Sequence, residues 1–454
     1  MVEPTILPRS EHNISRREID PDALKVLSRL REHGFVAYLV GGSVRDLLLG
    51  RRPKDFDIGT SAHPYEIKKL FRNCWIIGRR FRLAHVKFGP KTIEVATFRR
   101  QVHDVPGEPG ADAETPDSPA PEVTNAIADN ITFIHRDNTF GTPEEDAFRR
   151  DFTVNGMFYD IATFSVIDYV GGLSDLKARV IRSIGDPNVR FVEDPVRMLR
   201  AVVMASRLEF QLDPDVIAAI ERHRQLIRDA SPSRMIEEYY KILRSGAAAR
   251  TFKALDETGL LELVTPELSG AEQPFYDSLS ALDTWRRQHP DIPSSLTNPI
   301  LVGALVAPLG LIPPLQGRPI PRPIPKPDKP GRRIREPLPE RVSIGMLPLA
   351  RRDVDRFRQI TTLVPRLGEQ AMSLRQQRSI VHRPWFDETL TWLEIFSADA
   401  DLVEVWKEQK AEHGASAPRE GVVVESGARP DQRRRRRRRR GRGRGRGGSS
   451  KLVN

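Results

Sequence analysis

The first hundred residues alternate between helical and strand-like patterns of apolar positions. They predict a helix over 20–33, a strand over 38–40, a helix over 64–71, a strand over 74–77 and a β-hairpin over 84–97. The hairpin turns at Gly89-Pro90, and alternation along its second strand places Thr92, Glu94 and Ala96 on one face. These elements together predict a mixed β-sheet with helices packed on it.

Helical periodicity dominates after residue 143. The pattern predicts one helix over 143–160 with a break at Gly156, a strand, a Gly-Gly turn and a short helix over 165–185, and a run of helices from about 170 to 300. Helices resume from about 348 to 410. The predicted fold class is therefore α+β, with a mixed-sheet domain followed by an all-α region.

Three segments lack the periodicity of a packed fold. Residues 103–129 hold seven acids, five prolines and no Lys or Arg. Residues 313–339 hold ten prolines among Arg and Lys, and residues 411–454 end in an Arg-rich run. We predict a flexible acidic insertion, an extended polyproline-like linker and a disordered tail, respectively.

Cysteine usage and the lack of long apolar runs suggest the cellular compartment, and the charge distribution suggests a binding partner. Cys74 is the one cysteine, the N-terminus has no apolar run of signal-peptide length, and no segment approaches ~18 consecutive apolar residues, so we expect a cytoplasmic protein. The net charge is +11, and residues 433–454 alone carry +12, which leaves −1 for the rest of the chain. We expect this tail to bind RNA through phosphates and base stacking, with a role in solubility as the alternative. The candidate RNA-binding residues are Arg433, Arg434, Arg435, Arg436, Arg442, Arg444 and Arg446.

Residues 38–58 carry the densest candidate chemistry. Gly41 and Gly42 follow an apolar strand and open a short helix, where the backbone lets a phosphate approach. Asp55 and Asp57 are separated by one residue, so both carboxylates point the same way in an extended segment and can hold divalent metal ions. The combination predicts metal-dependent chemistry on a nucleoside triphosphate.

Two further segments add charged candidates. Arg150, Asp151 and Asn155 fall at helical spacing, and their apolar flanks favour partial burial over a solvated charged helix. Arg197 and Arg200 lie three residues apart in a predicted helix. Their guanidinium groups can hydrogen-bond a base edge or form structural ion pairs, and the sequence leaves both possibilities open.

These segments together resemble the nucleotidyltransferase superfamily branch that holds bacterial poly(A) polymerases and tRNA CCA-adding enzymes, over roughly residues 13–265. The motifs are Gly41, Gly42 and Arg45 for G-G-x-x-R, Asp55 and Asp57 for D-x-D, Arg149 to Thr153 with Asn155 for R-R-D-F-T-x-N, and Glu193, Asp194 and Arg197 for E-D-x-x-R. The acidic insertion and the polyproline segment depart from the family pattern, and the last ~150 residues match it poorly.

The resemblance implies template-independent addition of AMP from ATP to RNA 3′ ends, with two Mg²⁺ ions as cofactors. It further implies mRNA polyadenylation that promotes RNA decay, RNA-decay proteins as partners, and a monomeric enzyme.

The resemblance also implies roles for residues. The metal ligands would be Asp55 and Asp57, and the third carboxylate would be either Glu94, which has the strand geometry, or Asp151, which lies in a family motif and can instead orient the nucleotide. The implied nucleotide-binding residues are Gly41, Gly42 and Arg45 at the triphosphate, Arg150 and Asn155 at the ribose, and Asp194 and Arg197 at the base. Arg200 is a further candidate for nucleotide binding, from its helical spacing to Arg197.

The segment Ile76–Val86 separates the two activities of the branch. It resembles the signature of bacterial poly(A) polymerases, so we predict a poly(A) polymerase, with a CCA-adding enzyme as the alternative. A non-catalytic RNA-binding scaffold is a third hypothesis, which the presence of Asp55, Asp57 and Glu94 disfavours.

The predicted domains follow the same order. They are an N-terminal extension and helix (1–35), a catalytic nucleotidyltransferase head (36–170), a neck (171–245), a helical body (246–312), the polyproline linker (313–340), a helical C-terminal region (341–410) and the disordered Arg-rich tail (411–454).

Overall fold

The computed structural model describes residues 3–78, 82–100, 139–311, 343–369, 372–397 and 399–414. The acidic insertion, the polyproline linker and the Arg-rich run at 433–454 lie outside these ranges, as do three residues of the segment Ile76–Val86. The predictions made for those residues stay predictions.

Eight strands form one mixed sheet in the order β1-β8-β7-β2-β3-β6-β5-β4. They are β1 (Thr5–Leu7), β2 (Ala37–Val40), β3 (Asp57–Thr60), β4 (Cys74–Ile77), β5 (Leu83–Phe88), β6 (Lys91–Thr97), β7 (Met157–Asp160) and β8 (Ser165–Asp168). Two short pairs stand apart, β9 (Val180–Ile181) with β10 (Gln211–Leu212), and β11 (Ser343–Ile344) with β12 (Leu347–Pro348). The pair of β3 and β6 is parallel, and the other neighbours of the large sheet are antiparallel.

Helices fill the rest of the described chain. They are α1 (Pro21–Glu32), α2 (Gly42–Leu48), α3 (Pro64–Leu70), α4 (Pro143–Phe148), α5 (Gly172–Ala178), α6 (Pro187–Glu193), α7 (Val196–Leu208), α8 (Pro214–His223), α9 (Pro232–Leu243), α10 (Ala248–Glu257), α11 (Leu260–Val264), α12 (Gln273–Gln288), α13 (Asn298–Val306), α14 (Arg351–Leu367), α15 (Leu374–Val381), α16 (Phe386–Phe396) and α17 (Ala400–Gly414). None of these described helices is long and apolar enough to cross a membrane.

The two faces of the sheet are covered differently. Helices α1 and α3 pack on one face, over core side chains such as Ile58, Val86 and Val95. On the other face, a smaller apolar cluster around Phe98 and Phe158 covers the strands nearest α4. The outward side chains of β4, β5 and β6 on this second face are exposed or half-buried.

Most predicted elements are confirmed. Helix α1 is capped by Asp20 with Pro21 at its first position, and the predicted hairpin forms as β5 and β6 around Gly89, whose φ is +60°. The helical runs from 170 to 300 and from 348 to 410 are also found, so the α+β fold class is correct.

The prediction of one helix over 143–160 is wrong. Helix α4 ends at Phe148, a 3-10 turn covers Thr153–Asn155, and Met157–Asp160 form β7 between β2 and β8. All four residues of β7 are buried, because helices or loops cover both faces of a strand in this part of the sheet. The helix ends eight residues before the predicted break at Gly156, which instead follows the 3-10 turn and packs closely, since an added Cβ there would lie 2.4 Å from Val170 Cγ2.

Candidate active site

A cleft of about 360 Å³ opens where β2 and β3 meet the helices that follow the sheet. It is lined by Gly41, Gly42, Asp57, Arg149, Arg150, Asp151, Asn155, Asp194, Arg197 and Arg200. The predicted catalytic and nucleotide-binding residues outside this lining are Asp55, Glu94 and Arg45. Residues that are up to 159 positions apart in the sequence therefore converge on one cleft.

One wall of the cleft is acidic, with Asp57 in the lining and Asp55 and Glu94 near Asp57 but outside the lining. Asp57 is the first residue of β3, whereas Asp55 lies in the loop before it rather than on the strand. The register pairs Ile58 with Val95, so Glu94 on β6 stands next to Asp57. Because Ile58 and Val95 point into the core, Asp57 and Glu94 point to the opposite face.

This acidic wall fits a divalent cation. Burial, together with the charges of Glu94 and Asp55, raises the pKa of Asp57 to about 6, against the opposing charge of Arg150. A bound cation would relieve this repulsion, and carboxylate oxygens are the ligands that Mg²⁺ prefers. Within the described ranges, no three His, Cys, Asp or Glu side chains are already gathered into a metal site.

Gly41 and Arg150 form the wall opposite the carboxylates. Gly41 caps α2 with φ at 70° and ψ at −130°, a conformation that favours glycine. A Cβ on Gly41 would lie 2.9 Å from Arg150 Nη1, so the absence of a side chain there lets the guanidinium group reach the cleft.

Arg150 is held in place by a residue that the sequence did not reveal. Asp146 on α4 is buried and accepts hydrogen bonds from Arg150 Nη2 at 2.9 Å and from Arg149 Nε at 2.8 Å. Burial would raise the pKa of Asp146, but the charges of Arg150 and Arg149 lower it below its ordinary value. Arg150 also donates to the backbone oxygen of Asn155 at 3.2 Å.

Arg45 lies beneath the cleft instead of lining it. Its guanidinium group is buried, and it donates to the side-chain oxygens of Asp46 and Asn155. Arg45 is absent from the lining of the cleft, and its predicted contact with a triphosphate stays a prediction. Its contacts make Arg45 a support for Asn155.

Asp151 lines the cleft within a polar network of its own. One carboxylate oxygen is 2.6 Å from Arg200 Nη2, and the other accepts from the backbone of Phe152 and from Asn155 Nδ2. Burial opposes ionisation of Asp151, but the charge of Arg200 and these hydrogen bonds lower its pKa overall. Of the two candidates for a third carboxylate, Glu94 is the one beside Asp57.

Asp194 and Arg197 end the cleft at the junction of α6 and α7. Asp194 caps α6 and is held by a two-bond fork from Arg234 on α9, at 3.1 and 2.8 Å. Arg197 donates to Glu193 Oε2 at 2.8 Å and to the backbone oxygen of Arg190. Arg234 lies 40 residues from Asp194, and no local sequence pattern signals the pairing.

Comparison with known protein families matches the part of the chain that supplies most of this cleft. Residues 37–182 match the family model described as the poly A polymerase head domain, and residues 209–271 match the model described as the probable RNA and SrmB-binding site of polymerase A. Residues 37–182 are thus similar to the head domain of poly A polymerases. The resemblance drawn from the sequence motifs is thereby confirmed.

Curated relatives agree with this assignment. Poly(A) polymerase I of Salmonella typhi is 48% identical over 265 residues, which are 58% of this chain and 54% of the relative. The CCA-adding enzyme of Bacillus licheniformis is 36% identical over 271 residues, which are 58% of this chain and 62% of that enzyme. The chain thus spans between half and two thirds of the length of these relatives.

Solved structures share the fold. The CCA-adding enzyme of Bacillus stearothermophilus in complex with CTP aligns with a TM-score of 0.51 and 25% identity, over 87% of this chain and 83% of that chain. This similarity supports the predicted order of a mixed-sheet head and a helical remainder.

Proposed function

We propose that this protein transfers AMP from ATP to the 3′ hydroxyl of RNA, without a template, and releases pyrophosphate. The observation that carries the proposal is the cleft in which Asp57 faces Gly41 and Arg150 within a poly A polymerase head domain. Higher identity to poly(A) polymerase I than to the CCA-adding enzyme, 48% against 36%, favours repeated AMP addition over CCA addition.

Asp55 and Asp57 are the proposed metal ligands, and Glu94 is the neighbouring carboxylate. When bound, two magnesium ions would neutralise the triphosphate and stabilise the attacking and leaving oxygens. The reacting 3′ hydroxyl must lose its proton beside this wall, and a metal ion held there would favour the loss by stabilising the oxyanion that forms. Positioning and electrostatics account for most of such a phosphoryl transfer, because the protein forms no covalent bond to the substrate.

The opposite wall binds the nucleotide in this proposal. The backbone of Gly41 and Gly42 and the guanidinium group of Arg150 face the triphosphate, and Asn155, braced by Arg45, faces the ribose. Asp151 and Arg200 form a fixed ion pair that orients the nucleotide, so we assign the third carboxylate of the catalytic set to Glu94.

Asp194 and Arg197 are proposed to read the adenine. The Asp194 carboxylate can accept and the Arg197 guanidinium group can donate hydrogen bonds to a base edge. Arg234 holds Asp194 and Glu193 holds Arg197, so the pattern of acceptor and donor is fixed. Such a pattern selects ATP without a nucleic-acid template.

The proposal is tested by replacing the metal ligands. In Asp55→Ala and Asp57→Ala variants we expect AMP addition to be lost, because the positive charge that neutralises the triphosphate is no longer held. Binding of RNA should remain largely intact, since Asp55 and Asp57 are proposed to hold metal ions and not the RNA strand itself. Retained AMP addition in either variant would contradict the metal assignment.

A matched pair decides the third carboxylate. Glu94→Gln should raise the Mg²⁺ concentration needed for half-maximal activity, whereas Asp151→Asn should raise the KM for ATP at saturating Mg²⁺. The reverse pattern would assign the third carboxylate to Asp151.

A further inference from the structure

A row of side chains crosses the second face of the sheet, from the acidic wall of the cleft to the edge strand β4. Glu94 on β6 is the neighbour of Asp57 on β3 across the parallel pair. His85 on β5 pairs with Glu94, and Trp75 on β4 pairs with His85. Residues in register on neighbouring strands point to the same face of a sheet. Three steps between strands separate Trp75 from Asp57, which is a distance of about 14 Å.

At the outer end of this row, two exposed apolar side chains lie beside a lysine. Trp75 is 51% exposed and Ile77 is 48% exposed, although both lie in a strand whose other face is buried in the core. Lys87 Nζ stands 5.1 Å from the centre of a Trp75 ring. Proteins that bind single-stranded nucleic acids combine aromatic rings with positive charges. The ring stacks on a base, and the charge pairs with a phosphate.

We infer that the single-stranded 3′ segment of the RNA lies along this row, with a base a few nucleotides before the 3′ end stacked on Trp75. We call Trp75, His85, Lys87 and Glu94 the primer row. The inference rests on the proposed function, because the reacting 3′ hydroxyl must reach Asp57. Among the residues that the structure describes, the side chains of Trp75, His85 and Glu94 along the row to Asp57 are exposed or half-buried.

The composition of the primer row fits this occupant. Its acid, Glu94, stands at the end next to the proposed metal ligands, and His85 Nε2 lies 3.6 Å from Glu94 Oε1 between the acid and the indole. Stacking on an aromatic ring tolerates every base, so it suits an enzyme that extends RNA ends of any sequence. Lys87 can leave the indole and pair with a phosphate of the same strand.

Binding without turnover tests the inference directly. The affinity for a labelled oligoadenylate of about six nucleotides, measured by fluorescence anisotropy without ATP, should fall about tenfold in Trp75→Ala. Trp75→Phe keeps a ring and should stay within about threefold of the unmodified protein. Tyr65→Ala removes a 61% exposed ring on α3, which packs on the opposite face, and should leave the affinity unchanged.

Primer length supplies a second readout. With the unmodified protein, the KM for RNA should fall as the primer grows from about two to about six nucleotides and reaches Trp75, and Trp75→Ala should remove most of this fall. The KM for ATP and the kcat at saturating primer should not change. Equal affinities for the Trp75 variants, or a length dependence that survives Trp75→Ala, would overturn the inference.

Two other outcomes are distinguishable. If the unmodified protein adds no AMP to any primer, the proposed function fails, while the binding comparison still decides whether Trp75 contacts RNA. If Trp75→Ala changes the oligomeric state and leaves RNA affinity intact, the edge strand β4 pairs with protein and the inference is wrong.

Discussion

Gly41 shows how closely single residues set the geometry of the cleft. Its positive φ and the 2.9 Å approach of Arg150 Nη1 to the position of a Cβ are independent constraints on the same residue. Gly34 has a similar φ of +83°, and a Cβ there would meet nothing within 4 Å. The two glycines therefore separate backbone strain from displacement of the guanidinium group.

Gly41→Ala should lower the kcat/KM for ATP at least about tenfold, because the new methyl group pushes Arg150 away from the triphosphate. Gly34→Ala should cost about 1 kcal/mol of stability through its backbone alone and leave the kcat/KM unchanged. Steady-state kinetics and thermal unfolding of both variants check this. Equal losses of activity would show that Arg150 does not act through this contact.

Arg234 is the residue whose role the sequence least suggested. Arg234→Ala should raise the KM for ATP several-fold and narrow the preference for ATP over CTP, because Asp194 loses the fork that fixes its orientation. Arg234→Lys keeps the charge without the fork and should restore little of the preference. An assay in which ATP and CTP compete measures this preference. If Arg234→Lys restored the preference in full, the orienting role of Arg234 would be refuted.

Helix α4 is short, but it organises the positively charged wall. It begins at a capping box between Thr142 and Glu145, and its buried Asp146 binds both Arg149 and Arg150. Arg190 on α6 donates to the backbone oxygens of Arg149 and Arg150, so the end of α4 is tied to the following helices.

Removing Asp146 should therefore affect stability and activity together. Asp146→Ala leaves two guanidinium groups without their carboxylate, at a cost of about 3 kcal/mol, and should raise the KM for ATP. Asp277→Ala removes an exposed acid on α12 and should change neither quantity. Denaturant unfolding measures the stability of each variant, and steady-state kinetics measures its KM for ATP. An unchanged stability of Asp146→Ala would contradict the structural role of Asp146.

The pH dependence gives Asp146 a distinct signature. Its pKa is lower in the folded protein than in the unfolded chain, so its ion pairs stabilise the protein above about pH 4 and lose this effect as the pH falls further. Asp146→Asn should flatten the acid limb of stability against pH relative to the unmodified protein. An identical acid limb would show that other carboxylates dominate.

Secondary structure was predicted correctly where the apolar positions follow a single helical or strand period. The prediction failed where a strand is buried on both faces, because its apolar positions then show no alternation. The hairpin of β5 and β6 and helix α1 follow alternation and spacing that are local. Strand β7 is buried on both faces, so its apolar run could not be told from a helix.

The same distinction holds for the cleft. Motif residues such as Gly41, Asp57 and Asp151 were predicted because each motif is contiguous in the sequence. The supports Asp146 and Arg234 were missed because tertiary packing alone brings them to their partners. Arg45 belongs to a motif but acts from below the cleft, which no spacing could reveal.

Charge is distributed unevenly over the whole molecule. The Arg-rich run at 433–454 carries +12, whereas the rest of the chain is nearly neutral at −1. This distribution is the basis of the prediction that residues 433–454 add affinity for RNA phosphates to whatever affinity the rest of the chain provides.

Deleting residues 433–454 should weaken RNA binding and flatten its dependence on salt, because fewer counterions are released when the protein binds. Activity at saturating primer should be spared. Filter binding across a salt series measures the slope, and an unchanged slope would show that the tail does not contact RNA.

The most direct test of AMP addition is a primer-extension assay with the full chain, magnesium and a labelled RNA that ends in a generic 3′ hydroxyl. ATP and CTP are supplied separately, and a tRNA that lacks its CCA end serves as the second primer. We predict a long ladder with ATP alone on the generic RNA. One to three additions that require CTP and occur on the tRNA would instead make the protein a CCA-adding enzyme, and no addition to either primer would contradict a catalytic function.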